Sequence, residues 1–118
     1  MYGLDKNIDL AFLKGREIIQ IAIGVHQVIF AFDDDVTISV ENHFQYLFND
    51  GSSEWRPGAK HVAAKTVQLL GSVVEEVLGQ ENGTLELTFS NGDRLVITDE
   101  NKNCEAYNIT RRGQTIVV

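Results

Sequence analysis

Most of the pattern of VIFAFDDDVTISV, Val28 to Val40, returns 57 residues later as LELTFSNGDRLVI, Leu85 to Ile97. Val28, Phe30 and Phe32 match Leu85, Leu87 and Phe89, and Ile38 and Val40 match Leu95 and Ile97. Apolar residues at every second position put one face of a strand against a core. A duplicated β-hairpin is therefore the strongest constraint on the fold, because any architecture for this chain must accommodate the same unit twice.

The repeat extends upstream. Leu13-Lys14-Gly15 is followed by Ile18 and Ile21, and Leu69-Leu70-Gly71 by Val74 and Val77 at the same spacing. A spacing of three does not fit a flat strand, so either a bulge shifts the facing or both faces are buried. Each half then reads as a three-stranded meander, with strands near 17–23, 26–32 and 36–41, and near 72–78, 84–90 and 93–98. Asn91-Gly92 and Asn82-Gly83 supply tight turns. The matching turn of the first half, Asp33-Asp34-Asp35, lacks glycine, but aspartate tolerates the left-handed region better than most residues.

The first hairpin differs from its copy in having a second apolar face, made by Ile29 and Ala31 with Ile18 and Ala22. That face needs a cover. Ala59, Val62, Ala63, Thr66, Val67 and Leu70 form a helical stripe between Pro57-Gly58 and Gly71, and a helix over 59–70 is the predicted cover, with a partner subunit as the other solution. Residues 41–58 read as the longest loop, and 2–13 as an irregular edge strand. Cys104 to Thr110 and Gln114 to Val118 read as a last hairpin across Arg111-Arg112-Gly113. The expected fold is mainly β (α+β with one helix). Two three-stranded meanders and a C-terminal hairpin make eight strands in a barrel-like or strongly curved sheet. Residues 1–118 form one domain duplicated over about 13–41 and 69–98.

By this point the chain resembles a family of small, uncharacterised bacterial proteins with the same internal duplication. That family has a Leu-x-Gly-x-x-Val opening to each half, an F-x-D-G-type hairpin, and a Y-E-A-W box near the C-terminus. Leu13-Lys14-Gly15, Leu69-Leu70-Gly71, Phe89-Ser90-Asn91-Gly92 and Cys104-Glu105-Ala106-Tyr107 stand at those places. Cys104 replaces the family's Tyr, Tyr107 its Trp, and the first turn lacks its glycine. The resemblance implies a fold and brings no activity or catalytic residues with it.

Ten basic against 17 acidic residues give a net charge of −7. That balance opposes nucleic acid and anionic membranes, whose phosphates are bound by Lys and Arg. It favours a basic protein, since complementary fields orient and speed association. No apolar run approaches the roughly 20 residues that cross a bilayer as a helix. The start MYGLDKNIDL lacks the features of a signal peptide, and Cys104 is the only cysteine. A cytoplasmic location is expected.

Few residues suggest chemistry. The three aspartates at 33–35 lack the spacing of a calcium loop and read as a solvated hairpin tip. His26, His43 and His61 have no metal-type spacing, and no nucleophile, dinucleotide or phosphate-loop motif is present. Cys104 beside Glu105 reads as structural. Catalytic residues, metal ligands and cofactors are therefore assigned to none. The best candidate surface is the row Thr37, Ser39, Glu41 and His43 on one face of a strand, together with Tyr46, Trp55 and Arg56 from the aromatic-rich segment downstream. Function remains unknown at this stage. The favoured reading is a non-enzymatic protein-binding module, of the kind that an immunity-type inhibitor of a basic partner would be, or a homodimer. The alternative is a small-molecule-binding barrel or a modest hydrolase using the Glu41/His43 face.

Overall fold

The computed structural model describes residues 9–41, 44–51, 53–55, 64–99 and 107–118, the side chains of 53–55 excepted. Among them are ten strands: β1 (Ile18–Ile23), β2 (Val28–Phe32), β3 (Val36–Val40), β4 (Phe44–Leu47), β5 (Ser53–Trp55), β6 (Val74–Gly79), β7 (Leu85–Phe89), β8 (Arg94–Ile97), β9 (Tyr107–Arg111) and β10 (Gln114–Val117). Two 3₁₀ turns, Ala11–Leu13 and Ala64–Leu69, precede β1 and β6. The fold is mainly β, as its periodicity predicts.

The two meanders do not join into one sheet. Each forms the greater part of its own antiparallel sheet, with orders β1-β2-β3-β9-β10 and β5-β4-β8-β7-β6. The hairpin that follows each meander crosses to the other. Thus β4 pairs with β8, Phe44 opposite Ile97, and β9 pairs with β3, Tyr107 opposite Val40. The halves are intertwined, and neither sheet is complete without strands from both. The result is two packed sheets in place of a closed barrel.

The Leu-x-Gly openings meet at a pseudo-twofold axis. Glu17 and Val73 form an antiparallel bridge there. Around it the Gly15 N–H donates to the Val74 carbonyl (2.8 Å) and the Gly71 N–H to that of Ile18 (2.9 Å). The Ile18 N–H donates to Ser72 (3.0 Å) and the Val74 N–H to Arg16 (2.9 Å), again a matched pair. Gly15 and Gly71 take φ of +87° and +82°, a conformation that a side chain would strain. Each opening leucine, Leu13 and Leu69, is wholly buried. The motif is the corner that turns the chain into β1 or β6.

A bulge explains the spacing of three. The register shifts between Ile18 and Gln20 against β2, and between Val74 and Glu76 against β7. The shift turns Ile21 and Val77 back onto the core, which both flank. Inward residues of both sheets share that core, and Phe30 meets Phe44 edge to face across it at 6.0 Å.

Three expectations need correction. Residues 41–58 contain β4 and β5, and Phe44 and Tyr46 are core residues rather than part of a loop. Over 64–69 the backbone forms a 3₁₀ turn that buries Thr66 and Leu69 and exposes Val67 and Leu70, so the helical stripe does not act as one face. Ala22 stays exposed, and Ile29 and Ala31 half-buried. The rest of the proposed helix, 59–63, lies outside the described residues, as do 1–8 and 104–106. Asp9 to Leu13 form a turn and not an edge strand. Leu69→Ala should cost about 2–5 kcal/mol in denaturant unfolding, whereas Val67→Ala should stay within about 0.5 kcal/mol. An amphipathic helix packed through its Val67 stripe would make Val67→Ala the costly change.

Candidate functional site

Thr37 and Ser39 point outward from β3 and are half-buried, and the Ser39 hydroxyl donates to Gln27 Oε1 (3.1 Å). Glu41 follows them and is exposed. His43 and Arg56 lie outside the described residues. The other members do not join this row. Tyr46 is fully buried in the second sheet, and the backbone of Trp55 pairs with Gln45 on that same sheet. Tyr46 is therefore no part of a surface with Thr37.

What holds Tyr46 inside is a polar cluster. Its hydroxyl donates to Asp93 Oδ2, while Asp93 Oδ1 accepts the Asn49 N–H (2.7 Å) and Oδ2 the Asn91 side-chain amide (3.2 Å). The repeat aligns Asp93 with Val36, so an apolar position in one half carries a buried carboxylate in the other. Tyr46 supplies the phenol that satisfies it. Its proton is held well above the ordinary value near 10, first by burial and then by the hydrogen bond to Asp93. Tyr107, whose hydroxyl donates to the Gly83 carbonyl (2.8 Å), is shifted the same way by burial. A phenol so held is a poor acid, and Tyr46 and Asp93 are buried beneath the exposed Asn49 and Asn91. Its role is to fasten β4 to the β7–β8 hairpin.

The aspartate tip is engaged rather than freely solvated. Asp34 and Asp35 take φ of 61° and 58°, the left-handed turn anticipated for them. The Asp34 carboxylate receives Arg112 at 3.0 Å and lies 3.4 Å from Arg16, and Asp33 Oδ1 accepts the Glu17 N–H at 2.9 Å. Asp33 thereby caps the corner. Its repeat mate Ser90 does the same for Val73 at 3.0 Å. Among the described residues no group of three or more His, Cys, Asp or Glu side chains is arranged to hold a metal ion.

Residues 10–118 match a family of unknown function, DUF6188. The chain belongs to that family. No curated protein and no solved structure matches it. Membership of DUF6188 agrees with the repeat motifs and adds no chemistry to them.

Other surface features are a cleft and the sheet edges. The cleft, about 290 Å³, is lined by Asp9, Phe12, Ile109, Arg111, Gln114 and Ile116, with the Arg111 guanidinium 4.7 Å above the Phe12 ring. The edge strands are β1 and β10 of one sheet and β5 and β6 of the other, and β1 and β6 meet end to end at the pseudo-twofold corner. Around β6, Glu75, Glu76 and Glu81 are exposed, and Glu86 lies beside them on β7. Leu78, opposite Glu86, is 53% exposed. No helix among the described residues is long and apolar enough to cross a membrane.

The tyrosine shifts carry a pH dependence. Both folded-state values lie above the unfolded one, so their contribution to stability is whole below about pH 10 and drains away as pH rises past it. Phenolate absorbance should show Tyr46 and Tyr107 ionising only as the chain unfolds. Tyr46→Phe should cost about 1–3 kcal/mol at neutral pH, since Asp93 loses a donor. A variant of unchanged stability would mean that the carboxylate does not depend on Tyr46.

Proposed function

We propose that the chain is a non-enzymatic protein-binding module, and that the acidic side of the second sheet around β6 receives a basic partner, as an immunity-type inhibitor would. The observation that carries this reading is Leu78, an exposed apolar side chain opposite Glu86 on an edge strand that also exposes Glu75 and Glu76, with Glu81 exposed in the turn that follows. An apolar anchor within a charged rim is how protein interfaces combine affinity with orientation. Arg94 offsets the field only at Glu86, 3.9 Å away, through a partly exposed pair of small energetic weight. The net charge of −7 extends the same field over the whole molecule. The reading also places the protein in the cytoplasm, where its single cysteine would stay reduced.

A small-molecule role draws its support from the cleft at Phe12 and Arg111, whose volume is at the lower end of ligand pockets. It would sit there.

Capture from the native host should retain a basic protein at low salt and release it as salt rises. The double variant Glu75→Lys/Glu76→Lys should weaken the same complex at least tenfold, or about 1.4 kcal/mol. A complex indifferent to both salt and charge reversal would contradict the reading.

A further inference from the structure

The pseudo-twofold axis makes β1 and β6 equivalent in backbone: each is a six-residue edge strand, bulged at the same place and leaving the same corner. Beyond that corner no described strand pairs with the free side of either. Unpaired strand edges invite association, and proteins protect them with charge. β6 follows that rule with Glu75 and Glu76. β1 does not: from Ile18 to Val25 the chain reads IIQIAIGV without a charged residue. Ile19 is 58% exposed, Ile23 51% and Val25 71%. The uncharged surface continues across the outward side of the sheet through Ala22, Ile29, Ala31, Thr37 and Ser39.

We propose that β1 is the contact of a homodimer. Two copies pair β1 against β1 in antiparallel register about a twofold axis, joining two five-stranded sheets into one continuous sheet. The charge distribution selects a second copy as the occupant. In a twofold contact the same patch meets itself, so an edge that carries several carboxylates would bring like charges together. In a chain of net charge −7, the long edge from which carboxylates are absent is β1. A basic partner would find nothing to read there, whereas β6 offers it Glu75 and Glu76, with Glu81 and Glu86 next to the strand. β10, the far edge of the same sheet, is also uncharged, but it is four residues long and its exposed apolar side chain is Val117 alone. β1 presents an edge about 20 Å long, at roughly 3.3 Å per residue.

Light scattering on the unmodified chain should give twice the 13.2 kDa chain mass, falling towards the monomer on dilution. Ile19→Lys and Ile23→Lys should each raise the dimer dissociation constant at least tenfold. Both lower the net negative charge, so general repulsion cannot be the cause. Leu78→Lys and Val117→Lys should leave the dimer intact. Should Ile23→Lys fail to fold by circular dichroism, Ile19→Lys, on the bulge, decides. Added salt should preserve or tighten the dimer, the opposite of its effect on a basic partner at β6, so either interaction can fail without the other. A chain that stays monomeric at every concentration, a dimer dissociated by Leu78→Lys or Val117→Lys but not by the isoleucine variants, or one that salt dissociates would overturn the proposal.

Discussion

The rest of the structure depends on the hydrogen-bonded corner where the two Leu-x-Gly openings meet. Gly15 and Gly71 each donate across the axis into the opposite half, and Ile18 and Val74 return the bond. Backbone groups drawn into a fold must find partners, and the amides of Gly15, Ile18, Gly71 and Val74 find theirs in the opposite half. The same exchange is repeated on a larger scale by β4 and β9, which complete each other's sheets. A duplicated sequence could have given two separate small units. Pairing across the axis instead gives both halves one core, which suits a chain whose halves are each too short to bury much surface alone.

Symmetry of backbone then sets the stage for differences of side chain. Asp33 and Ser90 cap equivalent amides with different chemistry. Val36 and Asp93 occupy equivalent positions, one in an apolar setting and one in a polar cluster built with Tyr46, Asn49 and Asn91. The two edges diverge most: β6 is acidic around a single leucine, and β1 is neutral and rich in isoleucine. If each edge has one partner, duplication has produced two sites of opposite character from a single backbone design.

The hairpins were legible because period-two alternation from Val28 to Val40 and from Leu85 to Ile97 is a local signal. The spacing of three at Ile21 and Val77 allows either a bulge or burial of both faces, and the register shifts decide for the bulge. The exchange of hairpins was not legible, since nothing local in Phe44 to Leu47 names Arg94 to Ile97 as its partner. Phe44 and Tyr46 do alternate, but Asn49-Asp50-Gly51 downstream drew the segment towards a loop. The stripe from Ala59 to Leu70 fits a helix by spacing, yet a 3₁₀ turn ending on one buried leucine satisfies its last part equally well. Of the candidate surface, Thr37 and Ser39 face outward as the alternation requires. Nothing local marks Tyr46 as buried, because the carboxylate that holds it inside, Asp93, is 47 residues away. The aligned repeat contained a hint, an aspartate where the first half has valine.

The central claim is that the crossing at the Leu-x-Gly corner binds two intertwined halves into one cooperative unit. Native-state amide hydrogen exchange tests it most directly. The amides of Gly15, Ile18, Gly71 and Val74 should exchange as slowly as the inward amides of β2 and β7, through global unfolding. Rapid exchange at those four amides, with both sheets still protected, would show that the halves hold together without the corner and would contradict the account.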